Sequence, residues 1–186
     1  SQKNPQARAM LVRDWLMKNL AWEEKPQKIS PVAALKRKRA DSSNYAILAC
    51  ALLRAAQVPA VPLSGFLLTD DGKLIPHLWL EYYLPGLGWI PFDPVLTKGG
   101  KPGGFQGKLE SDQRYFGNLD NRHIAFSRGY EKDRPRLAGG TVKASGPFWI
   151  LQDLFEESVN ASYTSSWNQP RLVGEILEPQ AGDTPR

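Results

Sequence analysis

Hydrophobic residues in the first third of the chain recur at helical spacing. From Ala7 to Leu20 the apolar positions fall on one side of a helix, which predicts an amphipathic helix with one buried face. A second helix is predicted after Asp41, Ser42 and Ser43, which are N-capping residue types, and Pro59 ends it. The apolar stripe of this second helix consists of Tyr45, Leu48, Ala49, Leu52, Leu53 and Ala56.

After Pro59 the pattern changes to short β-like runs. Ala60–Leu68, Leu74–Leu84 and Trp89–Phe92 are separated by turn sequences rich in glycine, proline and aspartate, which predicts antiparallel hairpins. His123–Ser127 is a further short apolar run. Together these runs predict an α+β fold in which N-terminal helices pack on an antiparallel sheet.

The organisation of the rest of the chain is less sharply marked. Lys98–Lys108 holds five glycines in eleven residues, which predicts a mobile surface loop. Phe148–Phe155, Val159–Tyr163 and Leu172–Leu177 are ambiguous short elements. We expect one domain over residues 1–178 and a polar linker over residues 179–186, in a segment that begins at a serine and so is expected to come from a longer protein.

Charge and hydropathy restrict the partners. The net charge is +5, and Lys36–Arg39 is the densest basic run. Four basic residues without interleaved aromatic residues are typical of a solvated loop, so we expect no nucleic-acid function. No apolar stretch approaches the ~20 residues of a membrane span.

Metal and cofactor chemistry finds no support in the residue types. The chain has two histidines and one cysteine, Cys50, and it lacks a phosphate-binding Gly-Lys-Ser motif and a strand-linked Gly-x-Gly-x-x-Gly motif. We therefore expect neither a metal site nor a cofactor. A single cysteine also excludes an internal disulfide.

Ser42, His77 and Asp93 form a candidate nucleophile, base and orienting residue. A nucleophile at a helix N-terminus gains from the positive potential there, and a histidine oriented by a carboxylate can accept its proton. A serine at a helix start is more often only an N-cap, and the hairpin register decides whether His77 and Asp93 meet. The residues alone leave both questions open.

Two segments carry a resemblance to a known family. ADSSNYAILACALLRAAQVPAVPLSGF and PHLWLEYYLPGLGWIPFDP resemble the core of bacterial transglutaminase-like proteins, which have a papain-like fold. In that family Gly-x-Cys opens the catalytic helix, and His-Ala-Trp and Asp-Pro-Thr segments supply the other two catalytic positions. The resemblance places Ser42, His77 and Asp93 at these positions, and DNRHIAFSRGYEKDRP resembles a downstream family segment in which His123 is expected to be structural.

The departures from the family pattern predict a silent site. Ser42 stands where the family has its nucleophilic cysteine, and a hydroxyl is not converted to the nucleophilic anion as readily as a thiol beside an imidazole. Cys50, eight residues further along the helix, is expected to be a small buried thiol. Ala40 and Gln57 replace two family glycines, and Val61 replaces the usual arginine, which favours natural decay over an introduced Cys-to-Ser change.

The resemblance is strongest to the inactive transglutaminase-like domain of bacterial proteins with seven membrane helices. It implies a periplasmic domain of an inner-membrane protein, tethered through flanking segments, that binds a protein or peptide. A periplasmic retropepsin-like protease and an ATP-grasp ligase accompany such relatives and are candidate partners. The alternative is a hydrolase or acyl transferase with Ser42 as nucleophile. Trp79, Tyr83 and Trp89 alternate on strands and are expected to be core residues rather than binding residues.

Overall fold

The computed structural model describes residues 4–25, 29–129, 141–144 and 155–162, together with 164, 166, 168 and 170–174. It has four α-helices and eight strands within these residues. The helices are α1 (Pro5–Asn19), α2 (Pro31–Arg37), α3 (Ser42–Ala55) and α4 (Pro94–Thr97). The strands are β1 (Ala21–Trp22), β2 (Arg39–Ala40), β3 (Ala60–Leu68), β4 (Leu74–Leu84), β5 (Gly88–Phe92), β6 (His123–Arg128), β7 (Thr141–Ala144) and β8 (Phe155–Ser158).

The main sheet is antiparallel, with strand order β5-β4-β3-β6. Its strands lie almost where the sequence pattern predicts them. Short pairs accompany it: β1 runs parallel to β2, and β7 runs antiparallel to β8. Of the ambiguous predictions, only Phe155 at the start of β8 and the irregular residues 159–162 and 172–174 fall in the described part, and the predicted linker 179–186 lies outside it.

Helices α1 and α3 bury one face of the sheet. Apolar side chains from both helices form one core with the inward side chains of β4 and β5, which confirms the predicted α+β architecture. The Tyr45 hydroxyl donates to the carbonyl oxygen of Leu20 at 3.0 Å and joins α3 to the end of α1. The largest fully buried members of this core are Leu16, Leu20, Tyr45, Leu53, Leu80 and Phe92.

The opposite face of the sheet is covered by the segment between β5 and β6. Phe105, Tyr115 and Leu96 from this segment pack with Leu67 of β3. Gly100, Pro102 and Phe105 are buried, so the prediction of a surface loop over Lys98–Lys108 is wrong at these three residues. Glycines supply the tight turns of this segment, while the side chain of Phe105 fills the space under the sheet.

Helix α2 is an element that the sequence pattern did not predict. Ser30 caps it by accepting the amide N–H of Ala33, and Pro31 occupies its first turn. The basic run Lys36–Arg39 therefore spans the last turn of α2 and the start of β2, so its interpretation as a loop is wrong, although all four residues are exposed. Glu23 pairs with Arg39 at 2.5 Å and with Arg37 at 3.6 Å.

The three aromatic residues of β4 and β5 for which the sequence predicted a core position divide between core and surface. Trp79 is buried, as predicted, whereas Tyr83 and Trp89 are 37% and 42% exposed, so their assignment to the core is wrong. They meet edge to face, and Arg128 lies over the Trp89 ring at 4.3 Å. None of the helices that the structure describes is both long and apolar enough to cross a membrane.

Candidate functional site

Asp93 sits at the junction between β5 and α4, and its two carboxylate oxygens have different partners. Oδ1 accepts the amide N–H groups of Val95 and Leu96 at 2.9 and 3.0 Å, which makes Asp93 the N-cap of α4. Oδ2 faces the sheet and is therefore the oxygen that orients other side chains. The following Pro94 lacks an N–H and starts the helix without leaving a donor unpaired.

His77 lies on β4 directly against this carboxylate. Its Nε2 is 2.7 Å from Asp93 Oδ2, and both side chains are fully buried. Because a carboxylate only accepts hydrogen bonds, Nε2 donates and Nδ1 carries the lone pair when the ring is neutral. Trp79, two residues along the same strand, stacks on the His77 ring at 6.2 Å between centroids and helps to fix its orientation.

Ser42 is the first residue of α3 and opens onto the same cleft as His77. Asp41 caps the helix by accepting the amide N–H of Asn44 at 2.8 Å. The cleft has a volume of about 240 Å³. It lies beside the part of β4 that precedes Leu80, where β4 is not paired with β5. Its walls are Glu24, Asp41, Ser42, Ser43, Ile75, Pro76, His77, Leu78, Pro102 and Gly103.

The charge state of the site follows from these contacts. Burial alone would raise the pKa of Asp93, but the positive charge and hydrogen bonds of His77 and His123 outweigh it and hold that pKa well below its usual range. Asp93 is therefore ionised at neutral pH. His77 Nδ1 is buried and has no hydrogen-bond partner in the described part of the chain. His77 is thus a wall residue of the cleft that is held by Asp93 through one of its two ring nitrogens.

The structure brings all three predicted site residues together and adds a fourth that the sequence prediction set aside. His123 Nε2 is 3.2 Å from the same Asp93 Oδ2, and its Nδ1 is 2.9 Å from Asp120 Oδ1. The expectation that His123 is purely structural did not anticipate this direct contact. Asp120, three residues before His123 on the chain, was the available signal, since a carboxylate near a histidine commonly orients it.

Cys50 lies away from the cleft. It is 3% exposed within the core formed by α1, α3 and the sheet, as predicted. Burial raises the pKa of its thiol to about 12, although the nearby charge of Arg54 acts in the opposite direction. Eight helical residues separate it from Ser42, a rise of about 12 Å along the axis. Cys50 is therefore in no position to replace a nucleophile at Ser42.

Comparison with known families decides the assignment. The family model of the transglutaminase-like superfamily matches residues 1–94, half of the chain, including Ser42, His77 and Asp93. The chain belongs to the transglutaminase-like superfamily. Within this superfamily domain, the nucleophile position expected from the resemblance is occupied by a serine. The matched region ends just after Asp93, so His123 and nearly all of the segment between β5 and β6 lie outside it.

Several solved structures are similar to part of this transglutaminase-like chain. A candidate cysteine protease from Cytophaga hutchinsonii is 23% identical over 47% of this chain and 30% of its own, with a TM-score of 0.39. The periplasmic domain of TgpA from Pseudomonas aeruginosa is 26% identical over 50% and 38%, with a TM-score of 0.42. LapG from Legionella pneumophila is 18% identical over 51% and 56%, with a TM-score of 0.41.

The matched regions thus span well under two thirds of each of these structures. No curated protein matches the chain significantly.

Proposed function

We propose that this chain is a catalytically inactive transglutaminase-like domain whose cleft binds a peptide segment of a partner protein. The observation that carries the proposal is that Ser42 stands at the nucleophile position while the His77–Asp93 pair and the cleft are present. The base and its orienting carboxylate are in hydrogen-bond contact, so among the three catalytic positions the departure from the family lies in the nucleophile atom. Binding needs the cleft and its polar groups but not a reactive thiol.

The chemistry of the hydroxyl supports inactivity. A cysteine beside an imidazole ionises readily, whereas a serine must lose its proton during attack and needs oxyanion donors matched to a shorter nucleophile. Cys50 cannot supply a thiolate, since it is buried and its pKa is raised to about 12. Replacement of sulfur by oxygen in a cysteine-enzyme scaffold therefore removes the nucleophile without creating a serine enzyme.

The cleft has the polar and apolar groups that an extended peptide needs. The first-turn amides of α3, at Ser42 and Ser43, have no intrahelical acceptor because of helix geometry, and His77 forms part of the opposite wall. Ile75 and Pro102 add apolar wall. A volume of about 240 Å³ is smaller than the ~300 Å³ at the low end for a drug-sized ligand. It suits one or two residues of a peptide rather than a large cofactor.

The partner and location are part of the same proposal. The resemblance to inactive transglutaminase-like domains of seven-helix bacterial proteins supports a position on the periplasmic side of the inner membrane, reached through flanking segments. A periplasmic retropepsin-like protease is the first partner to test. Protease accessibility of an epitope-tagged full-length protein in spheroplasts, compared with intact cells, checks the location. Protection in spheroplasts with an intact inner membrane would contradict it.

Binding is tested by NMR titration with a capped glutamine-containing dipeptide amide as the probe. We expect saturable amide shifts at the start of α3 and around His77, and at least fivefold weaker binding in His77→Ala. Leu87→Ala, a change at an exposed side chain of the β4–β5 turn, is the matched control and should bind like the parent protein. Shifts confined to other surfaces, or equal affinity in His77→Ala, would contradict a binding role for this cleft.

One observation favours the alternative enzyme. His77, whose Nδ1 has no hydrogen-bond partner in the described part of the chain, lines the same cleft as Ser42, as a general base for a serine nucleophile must. In that reaction Ser42 Oγ would bond to a substrate carbonyl carbon, its proton would pass to His77 Nδ1, and the departing amine or alcohol would take that proton as its bond to the carbonyl breaks. A covalent acyl adduct on Ser42 that disappears in His77→Ala distinguishes this enzyme from a binding domain.

A further inference from the structure

Four consecutive residues of β4, from Ile75 to Leu78, line the cleft. Successive side chains of a strand point to opposite faces of its sheet, so a cleft on one face would be lined by every second residue. A run of four consecutive residues means that the cleft lies along the edge of the strand, where its backbone groups are. Strand β5 pairs with β4 between Leu80 and Leu84, so it leaves this part of the edge uncovered.

The pairing of β4 with β3 determines which backbone groups point to that edge. In an antiparallel ladder, alternate residues direct both the N–H and the C=O toward the same neighbouring strand. At the end of this ladder the Tyr83 amide donates to the Pro59 carbonyl, so the odd-numbered residues of β4 face β3. The even-numbered residues Pro76 and Leu78 therefore direct their backbone groups away from β3, toward the cleft.

Two prolines and the β3–β4 turn agree with this assignment. Proline lacks an N–H, and Pro62 and Pro76 both fall in pairs that the assignment leaves without ladder bonds. Just before β4, the carbonyl of the odd-numbered Lys73 accepts the Thr69 amide, as the same alternation requires. Along the cleft, the edge of β4 thus presents the carbonyl of Pro76 and both the N–H and the carbonyl of Leu78.

The backbone of Leu78 is the part of this edge that most needs a partner. Leu78 is 5% exposed, and in the described part of the chain no hydrogen bond joins its backbone to another element. Buried backbone groups are nearly always paired. A longer β5 would have supplied the partner, but its pairing ends at Phe92 because Asp93 begins α4. An extended segment of another protein can take the place that β5 leaves.

The opposite wall of the cleft suits the second edge of such a segment. The first-turn amides of α3 at Ser42 and Ser43 have no intrahelical acceptor, so they can donate to carbonyl groups on that edge. Pro102 and Gly103 form a further wall of the cleft. A volume of about 240 Å³ between these walls admits one extended segment but not the edge of a second folded sheet.

We propose that the ligand segment binds by strand addition: its backbone pairs with both groups of Leu78 and donates a second N–H to the Pro76 carbonyl. This rests on the proposed function and deepens it, because it defines the ligand as an extended segment with free amides at alternate positions. In either direction of the segment, N–H groups two residues apart face β4, and the N–H between them faces the opposite wall.

Amide hydrogen exchange of the unliganded protein tests the open edge without any ligand. We expect the Leu78 amide to exchange at least tenfold faster than those of His77 and Trp79, which face β3. Leu80, which has the same alternation as Leu78 but pairs with β5, is the matched control and should be protected. In Pro76→Ala the new N–H should exchange as fast as that of Leu78. Protection of Leu78 equal to that of Leu80 would overturn the proposal.

An ester scan of the capped tripeptide acetyl-alanyl-glutaminyl-alaninamide tests the pairing itself. Replacing one backbone N–H at a time by an ester oxygen removes a single donor and keeps the chain extended. Because the middle N–H faces the wall opposite to its two neighbours, the middle ester should respond oppositely to the outer two. In NMR titrations we expect at least fivefold weaker binding either for the middle ester alone or for both outer esters. Equal affinities for all three esters would overturn the proposal.

The two measurements separate this inference from the proposed function. If the tripeptide binds in the cleft but its esters show no alternation, the cleft still binds a peptide and strand addition is wrong. If the tripeptide does not bind, the proposed function is wrong and this inference fails with it, whatever the exchange rate of Leu78. The result we expect is alternation among the esters, together with protection of the Leu78 amide when the tripeptide is bound.

Discussion

At the residue scale, Asp93 is the side chain on which most of the site depends. Its Oδ1 caps α4 and its Oδ2 accepts from His77 and His123, so one carboxylate serves the fold and the site at once. The sequence motif identified Asp93 but not this division between its oxygens. The contact with His123, thirty residues further along the chain, could not be predicted. Hydrophobic periodicity gives the elements but does not tell which residue of β6 lies next to Asp93.

Replacement of Asp93 by serine separates the two roles. Serine is as good an N-cap as aspartate, so a residue that only capped α4 would lose a few tenths of a kcal/mol. We expect Asp93→Ser to reduce the free energy of unfolding by about 3 kcal/mol, because His123 loses one of its two carboxylates in a buried site. Urea unfolding at pH 7 measures this. A loss below about 1 kcal/mol would mean that Asp93 acts only as a cap.

Gln57 is a second residue whose backbone explains a departure from the family. It has φ of 58°, in the left-handed region, just after α3, where the resemblance expects glycine. A residue with a Cβ atom is strained in this conformation by about 1–2 kcal/mol, and glycine would remove that strain. Two smaller effects oppose the gain: glycine loses more backbone entropy on folding, and the exposed hydrogen bond that the Gln57 side chain accepts from Arg8 would be lost. We expect Gln57→Gly to stabilise the protein by about 0.5–1 kcal/mol in urea unfolding.

Two glycine substitutions, one at the C-cap of α2 and one inside it, serve as controls for Gln57→Gly. Lys38 also has positive φ, at the end of α2, so Lys38→Gly should give a gain of the same sign. Lys36 lies inside α2, and Lys36→Gly should be destabilising by about 1 kcal/mol. Destabilisation by Gln57→Gly comparable to that of Lys36→Gly would contradict the strain argument.

At the element scale, three helices begin with the same two-residue signal. Asn4–Pro5, Ser30–Pro31 and Asp93–Pro94 each combine a capping side chain with a proline in the first turn. The Ser30–Pro31 signal is present in the sequence, but the apolar pattern alone did not predict α2. The strands were predicted well because alternation and turn residues mark them locally. Tyr83 and Trp89 were wrongly predicted to be core residues. Alternation shows which side chains share a face of the sheet, but not which end of that face is covered by other elements.

The close approach of β3 and β6 depends on Gly65. A Cβ built there would collide with the backbone carbonyl of Ile124 across the irregular pairing after Ser64. We expect Gly65→Ala to reduce the free energy of unfolding by about 2–3 kcal/mol. Because the obstacle is backbone, adding Ala125→Gly should not restore stability. Rescue by that second change, or a loss under 0.5 kcal/mol, would show that the strands adjust freely.

At the scale of the whole molecule, the buried network should shape the dependence of stability on pH. His123 has a folded pKa of about 9 against an ordinary value of 6.5, so its contribution is complete below pH 6.5 and is lost as pH rises through 9. Asp120 has its pKa lowered to about 2 from 3.8 by hydrogen bonds to His123 and Tyr115 that outweigh burial, so its contribution is complete above pH 3.8 and is lost as pH falls through 2.

We therefore expect the highest thermal stability between about pH 4 and 6.5, with a decline toward pH 9 on the order of 2–3 kcal/mol. Thermal melts at constant ionic strength across pH 3–10 measure it. In His123→Gln the decline between pH 6.5 and 9 should be largely lost. An equal decline in that variant would assign it to other groups.

The family motifs allowed the fold and three site residues to be predicted, but not how the site is enclosed. Phe105 lies among glycines that suggested a surface loop, and its burial depends on a space under the sheet that only the assembled fold defines. The same segment contributes Gly103 to the cleft. Local sequence patterns therefore indicated the elements and the chemistry, whereas the covering of the site follows from long-range packing.

The most direct test of the account is a paired activity assay of the parent protein and Ser42→Cys, with a glutamine-containing peptide amide and a peptide ester and with mass-spectrometric detection of an acyl adduct. We predict no turnover and no adduct for the parent protein, because Ser42 lacks the acidity of a thiol. In Ser42→Cys, the retained His77–Asp93 pair should produce alkylation by iodoacetamide at least tenfold faster than in the double variant with His77→Ala. Turnover by the parent protein that vanishes in His77→Ala would contradict the account and identify a serine-based acyl enzyme.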